Sequence, residues 1–240
     1  MLQYERQQKI LDILKEKHSA SIKELAQMVY ASEASVRRDI EKLESLGVIE
    51  RIYGGVILSK YKNEVVPIDL RESANSKSKE KIAIMAAKLV NDGDTVMLDS
   101  SSTARRICKH LANKKNIRII TNNMRVCNEL KNTDVEVFVS GGVFSKNREC
   151  FVGGYAEDFI ESVHADILFF SSKGISENGE ITDISEDEIN LRRLMIKQSK
   201  KAVFLCDKSK FGIISPFRIC HKRDIDTVIC DEKIEFKKEH

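Results

Sequence analysis

A chain of 240 residues with 42% hydrophobic content and two prolines can bury one large core or two smaller ones, and it holds no long polar tract of the kind that stays disordered. Its net charge of +3 excludes recognition of an acidic partner by bulk basicity, since residues 1–60 carry ten Lys and Arg against nine Asp and Glu. No apolar run approaches the roughly 20 residues that span a bilayer, and Cys108, Cys127, Cys150, Cys206, Cys220 and Cys230 form no Cys-x-x-Cys pair, so a cytoplasmic protein with reduced thiols is expected.

From Tyr4 to Lys17, Ile10, Leu11, Ile13 and Leu14 recur at helical spacing and predict a first helix, which His18 to Ala20 interrupt. Ser21 and Glu24 stand at capping-box spacing, each able to satisfy the other's backbone donor, and Ile22, Leu25, Ala26 and Val29 make the inward stripe of a short second helix. Tyr30-Ala31 turn into a third helix capped by Ser32. In it Val36, Ile40 and Leu43 face a core, while Ser35, Arg38 and Lys42 fall together on the opposite side, with Arg37 beside them.

Helix, short turn and helix with outward polar residues is the helix-turn-helix arrangement, and an arginine one turn into the second member suits a DNA major groove. Its guanidinium can make two hydrogen bonds to guanine or clamp a phosphate. The third helix is expected to stop at Gly47, which tolerates the left-handed cap conformation. Val48 to Tyr53 and Val56 to Leu58 flank Gly54-Gly55, the pattern of a two-residue β-hairpin. A hairpin directly after a recognition helix is a wing, which would set Arg51 and Tyr53 against phosphate or sugar.

Residues 4–58 resemble the N-terminal winged helix of the DeoR family of bacterial transcriptional regulators, whose motif runs Val-Ser-x-x-Thr-Ile-Arg-Arg-Asp-Leu, then Leu-Glu, Gly and Arg-x-x-Gly-Gly. The chain matches at Ser32, Arg37, Arg38, Asp39, Leu43, Glu44, Gly47, Arg51, Gly54 and Gly55, and departs at Ala31 and Ser35. Both departures are small, and the second keeps a hydroxyl, so they bear on base preference. The candidate DNA-contacting set is Ser21, Ser32, Ser35, Arg37, Arg38, Lys42, Arg51 and Tyr53.

A domain over 3–58 is followed by a polar stretch, 59–76, with Pro67 in its middle, which reads as a linker to a domain over 77–232. In that domain Ile82, Met85, Ala86 and Leu89 define a helix ending before Asn91-Asp92-Gly93-Asp94. Then apolar runs alternate with helical stretches: Thr95–Leu98, Ile117–Ile120, Val135–Val139, Ile167–Phe170 and Val203–Cys206 read as strands of a mostly parallel α/β sheet with helices on both faces.

Ligands of open parallel sheets bind outside the carboxyl ends of the strands, where loops meet helix N-termini. Here those ends carry Asp99-Ser100-Ser101-Ser102-Thr103, Thr121-Asn122-Asn123, Ser140-Gly141-Gly142, Ser171-Ser172-Lys173-Gly174 and Asp207-Lys208-Ser209-Lys210. Ser101, Ser102 and Thr103 offer hydroxyls and backbone N–H groups to an anion. Lys208 and Lys210 can neutralise it, and Asp99 can accept from sugar hydroxyls. Thr121, Asn122, Gly141, Gly142 and Lys173 complete the candidate effector site.

This half also resembles the DeoR family's C-terminal sensor domain, through Gly93-Asp94-Thr95, Asp99 to Thr103, Thr121-Asn122, Gly141-Gly142, Val152-Gly153, Ala165-Asp166, Gly174-Ile175, Gly179 and Asp207 to Gly212. The resemblance implies a fold related to ribose-5-phosphate isomerase and a phosphorylated sugar or similar effector. Lys173 departs from the pattern, where a neutral residue such as Asn is expected.

An isomerase needs a carboxylate base at hydrogen-bond reach of the reacting carbon. Related isomerases carry an acidic cluster after the strand matching Ile167–Phe170; this chain has Ser171-Ser172-Lys173-Gly174 there. Glu186 to Glu188 read as first-turn acids explained by the helix dipole. An isomerase-like enzyme with a DNA-binding head is therefore the second reading. His110, His164 and His221 lie far apart, so no metal site is expected, nor any cofactor. The expected protein is a regulator, by the family's commoner habit a repressor, of sugar metabolism. Its partners are operator duplex DNA and a phosphorylated sugar, and it works as a homo-oligomer, dimer or tetramer, on paired half-sites.

Overall fold

A computed structural model describes residues 2–45, 48–58, 71–72 and 74–237 of the chain. It divides into two compact units, Met1–Ala74 and Asn75–His240. The stop expected at Gly47 and most of the expected linker, residues 59–70 with Pro67 and residue 73, lie outside the described residues.

The first unit runs α1 Gln3–Lys17, β1 Ser19–Ala20, α2 Ile22–Met28, α3 Glu33–Ser45, β2 Ile49–Ile52 and β3 Gly55–Leu58. The break at His18, whose φ is 66°, frees the chain to run extended, and β1 pairs antiparallel with β3 (Ser19 with Ile57, Ala20 with Val56) in a sheet ordered β1-β3-β2. Ile52 pairs with Gly55, so the hairpin turn is Tyr53-Gly54 and not Gly54-Gly55. Gly54 supplies the positive φ of 87°, whereas Gly55 answers a close approach: a Cβ there would lie 2.5 Å from the Ala20 carbonyl oxygen.

Ile10, Leu14, Leu25, Val36, Ile40, Leu43, Ile49 and Val56 close the core of this unit. Burying each such side chain stabilises it by about 1.5–3 kcal/mol. Asp39 is buried among them from α3, where its carboxylate accepts from Arg6 Nε at 2.5 Å and Gln7 Nε2 at 3.3 Å on α1. The ion pair fixes which side of α3 faces inward, and so which side is left to solvent.

The second unit begins with α4 Ser76–Ala87 and continues β4 Thr95–Leu98, α5 Ser102–Arg105, α6 Cys108–Leu111, β5 Arg118–Thr121, α7 Met124–Leu130, β6 Glu136–Val139, β7 Val143–Ser145 and β8 Cys150–Val152. Then come α8 Gly154–Glu161, β9 Ile167–Phe170, β10 Gly174–Ile175, β11 Glu180–Asp183, α9 Glu186–Lys197, β12 Ala202–Cys206, β13 Phe217–His221 and β14 Thr227–Cys230. Six strands pair in the order β14-β12-β9-β4-β5-β6, every pair parallel. The sixth, β14, follows the five expected strands.

Alternation along these strands splits the core. Val96, Leu98, Phe169 and Leu205 face α4 to α7, while Met97, Leu168, Phe170 and Phe204 face α8 and α9. On that second side β10, β11 and β13 form a small antiparallel sheet, and β7 and β8 form a hairpin after the edge strand β6. The chain moves from β4 toward β6 in one direction and from β9 toward β14 in the other. The order therefore reverses between β4 and β9, which opens a crevice at their carboxyl ends.

Candidate functional site

In the first unit Ser32 caps α3, its hydroxyl accepting from the Ser35 amide at 3.2 Å and lying 3.0 Å from the Ser35 hydroxyl. Ser21 closes the expected capping box on α2: Glu24 takes the Ser21 amide at 2.8 Å and returns its own amide to the hydroxyl at 3.2 Å. That exchange holds the Glu24 carboxyl below the usual carboxylate range. Both serines thus use their hydroxyls to start helices.

Arg38 and Lys42 are exposed on α3, and neither side chain has a hydrogen bond or ion pair among the described residues. Arg37 lies 3.5 Å from Glu33, one turn back. Arg51 turns toward α3 and pairs with Glu44 at 2.8 Å and Glu41 at 3.8 Å, so its guanidinium holds the wing to the helix. Tyr53 at the wing's tip is 106% exposed.

In the second unit the crevice between β4 and β9 is built around Asp99. Its Oδ1 accepts from the Ser101 amide at 3.0 Å, and its Oδ2 accepts from the Ser171 amide at 3.2 Å and Arg192 Nε at 2.8 Å. Asp99 is 1% exposed, and three protein donors share its carboxylate. These bonds tie two strand ends to α9.

Arg192 spreads over three carboxylates, adding Asp183 at 2.9 Å and Glu188 at 3.4 Å. The other Glu188 oxygen meets Arg148 from the loop between β7 and β8, and Ser100 donates to the first. Glu186, Asp187 and Glu188 stand in the first turn of α9 as expected, and Glu188, 2% exposed, also joins this cluster. Burial pushes the Asp183 carboxyl up, but Arg192, the Ile184 amide, Arg148 and Lys210 outweigh that and hold it below its ordinary value. Burial pulls on the Arg192 guanidinium in the opposite sense, and Asp183 and Asp99 keep it charged.

Lys210 Nζ, in the 3-10 turn Lys208–Lys210 after β12, donates to Ser171 Oγ at 2.7 Å. Lys208 does not join it. Its Nζ lies 3.4 Å from the Lys233 carbonyl oxygen and 5.0 Å from the Phe211 ring centre, on the β14 side. Ser101 caps α5 through the Ala104 amide at 3.1 Å, with Ser102 and Thr103 buried behind it. Thr121 donates to the Leu98 carbonyl at 2.7 Å, locking the end of β5 to that of β4.

Asn122 donates to the Phe151 carbonyl at 2.9 Å, and its buried Oδ1 has no partner among the described residues. Gly141 and Gly142 end the edge strand β6, with φ of 64° and 107°; a Cβ on Gly142 would lie 2.8 Å from the Val152 carbonyl oxygen. Lys173 is exposed after Ser172. The strand ends of β4, β5, β9 and β12 thus converge, while the glycines stand at the sheet's edge.

Arg148, Asp183, Glu188 and Arg192 belong to this cluster and stand outside the candidate effector site; of these, sequence reasoning gave Glu188 only a helix-dipole role and did not single out Arg148 or Arg192. The spacing of Glu188 and Arg192, four residues apart on a helix, was a local signal for one of the pairs; Arg148 gave none.

A family model described as the DeoR-like helix-turn-helix domain matches residues 6–62, and one described as the DeoR C terminal sensor domain matches residues 74–232. The chain is 34% identical to the HTH-type transcriptional regulator GolR of Listeria innocua, over 98% of this chain and 92% of that one. It is 32% identical to the L-fucose operon activator of Haemophilus influenzae, over 95% of this chain and 92% of that one. Among solved structures, ribose 5-phosphate isomerase A of Methanocaldococcus jannaschii is similar with a TM-score of 0.44 at 18% identity, over 57% of this chain and 55% of that one.

Proposed function

The chain belongs to the DeoR family of transcriptional regulators, and from that premise we propose that it is a cytoplasmic repressor of a sugar-metabolism operon, released or reset by a phosphorylated sugar. The winged helix over 3–58 binds operator duplex, and the unit that begins at Asn75, covering the sensor domain expected over 77–232, senses the effector. The observation that carries the reading is the two-sided α3: Asp39 is locked to Arg6 on the inner side, and Arg38 and Lys42 stand exposed on the outer side without an ion pair among the described residues. Such a helix gives base edges a guanidinium without first breaking an ion pair.

In this reading Arg38 contacts base edges, Arg37, Lys42 and Tyr53 contact phosphate or sugar, and Ser21, Ser32, Ser35 and Arg51 position the helices and the wing. The effector occupies the crevice between β4 and β9. Lys210 supplies the cation, Ser171 and the Ser101-Ser102-Thr103 segment supply polar contacts, and the unpartnered Oδ1 of Asn122 supports a ligand with donors nearby. The L-fucose operon activator is named for a sugar operon, which supports a sugar-derived ligand.

The enzymatic alternative requires a carboxylate free to act as a base. Asp99, Asp183 and Glu188 are committed to Arg192, Arg148, Ser100 and backbone amides, which supports a sensor. Effector binding must favour one of two sensor conformations to change the grip of paired heads.

Selection of bound duplexes from a random pool by the full chain, followed by a thermal-shift screen of phosphorylated sugars, tests both halves. Enrichment of a sequence with two related half-sites and a rise in melting temperature with a sugar phosphate are expected. No enriched sequence, together with isomerase turnover by the chain, would overturn the reading.

A further inference from the structure

An open cavity of ≈ 560 Å³ lies between α9 and β13, walled by Arg193, Arg218, Arg223 and His221. That volume falls in the ordinary range of small-molecule pockets, roughly 300–1,000 Å³. The lining shares no residue with the candidate effector site, whose cation is Lys210.

An irregularity of the small sheet shapes the wall. Ile181 and Thr182 are consecutive on β11 yet pair with Cys220 and Arg218 on β13, so Ile219 is an extra residue, a β-bulge. Arg193 takes the carbonyls on both sides of that step, donating from Nε to Ile219 at 3.2 Å and from Nη2 to Arg218. Both acceptors are neutral, and Arg193 has no ion pair among the described residues.

The Arg218 guanidinium is 65% exposed and meets Glu180 at 3.5 Å, a surface pairing of small worth. Asp224, the one acid among the described residues of the lining, already accepts the His221 amide at 2.7 Å. The His221 ring is occupied by backbone, through the Asn178 carbonyl at 2.8 Å and the Arg223 amide at 3.2 Å. The arginines are therefore the groups that the cavity presents to a ligand.

We infer that this cavity binds a small molecule carrying a chain of two or more phosphate groups, such as a nucleoside polyphosphate, through Arg193, Arg218 and Arg223. The planar guanidinium fork meets phosphate oxygens two at a time, and three forks on separate anchors suit successive phosphates better than a single one. Glu157, Asp158 and Glu161 on α8 line a separate hollow that Arg193 also borders. They offset part of the arginine field, so direct guanidinium contacts must hold the ligand, and long-range attraction does not suffice. Arg193 follows Arg192 in α9, yet the inference stands apart from the sugar-phosphate reading, which sets its anion at Lys210.

Calorimetric titration of the full-length chain with inorganic tripolyphosphate tests it, with orthophosphate as the single-phosphate control. Tripolyphosphate should bind once per chain, more tightly at low salt than at high salt, and roughly tenfold or more above orthophosphate. Arg218→Gln with Arg223→Gln, checked for an unchanged melting transition, should weaken it by roughly tenfold or more, the usual loss for a charged hydrogen bond. Lys210→Ala in the crevice and Arg38→Ala in the head should each leave it intact. If the double variant melts early, Arg218→Gln and Arg223→Gln taken singly carry the test, each weakening binding roughly threefold or more.

A chain that takes up no tripolyphosphate, binding that survives the loss of both arginines, or binding lost in Lys210→Ala or Arg38→Ala would each overturn the inference. So would tripolyphosphate held no more tightly than orthophosphate, the mark of an adventitious ion only.

Discussion

Arg192 Nε lies 2.8 Å from Asp99 Oδ2, joining the middle of α9 to the carboxyl end of β4 across 93 positions of sequence. Both residues are buried, and the same guanidinium also holds Asp183 and Glu188. Removing it leaves three carboxylates facing each other without their shared cation. Arg192→Met is expected to destabilise the sensor unit by about 3–5 kcal/mol, the usual cost of breaking a buried pair. Urea unfolding followed by circular dichroism checks this; a midpoint equal to the parent's would show that the cluster is not needed for folding.

The same cluster sets an acid limit. The Asp183 carboxyl titrates below its ordinary 3.8, so its pairing stabilises the fold fully above that value and is lost as pH falls through the lower, folded-state value. Stability of the sensor unit should therefore decline steeply below about pH 4, near the ordinary carboxylate range. Asp183→Asn should be less stable than the parent at neutral pH, and the gap between them should narrow on acidification. Parallel curves for the two proteins from neutral to acid would contradict the assignment.

In the head, Asp39 and Arg38 are neighbours with opposite duties. Asp39→Ala removes the buried partner of Arg6 and should lower the head's stability by about 2–4 kcal/mol, with DNA binding lost through unfolding. Arg38→Ala should leave the melting transition unchanged and weaken operator binding by about 1–3 kcal/mol at fixed salt, most strongly for the duplex carrying the preferred base. Calorimetry on each variant and anisotropy on matched duplexes separate the two.

Much of this was legible because it is local. The split of α3 into Val36, Ile40 and Leu43 against Ser35, Arg38 and Lys42 follows from helical period alone, and the buried strands announce themselves as short apolar runs. Lys210 was recognisable as a strand-end cation. Its twin Lys208 was not separable from it, because one residue of 3-10 turn geometry decides which ammonium faces Ser171.

The protein bonds of Asp99 were not legible for the same kind of reason. Its partner Arg192 comes from a distant helix, and no spacing records that pairing. Arg51, read as a phosphate contact, also closes onto Glu44 seven residues back, a pairing that exists only once the wing folds against α3. β10 is two residues long, and β11 (Glu-Ile-Thr-Asp) and β13 (Phe-Arg-Ile-Cys-His) are not continuous apolar runs; these strands form by pairing with one another.

The two lysines also give a paired prediction. Lys210→Ala should abolish or strongly blunt the response to the effector, and Lys208→Ala, whose ammonium is turned toward Lys233 and Phe211, should leave it intact. Thermal-shift titrations with the active sugar phosphate report the change, and equal loss in both variants would move the anion site toward β14.

The control of the head by the sensor is tested most directly by anisotropy of a labelled operator duplex titrated with full-length chain, with and without a sugar phosphate that raises its melting temperature. The account predicts that the ligand shifts duplex affinity at least about fivefold, the low end of measured allosteric couplings, and that Lys210→Ala removes the shift while keeping duplex affinity. Identical duplex binding with and without a ligand that demonstrably stabilises the sensor would contradict it.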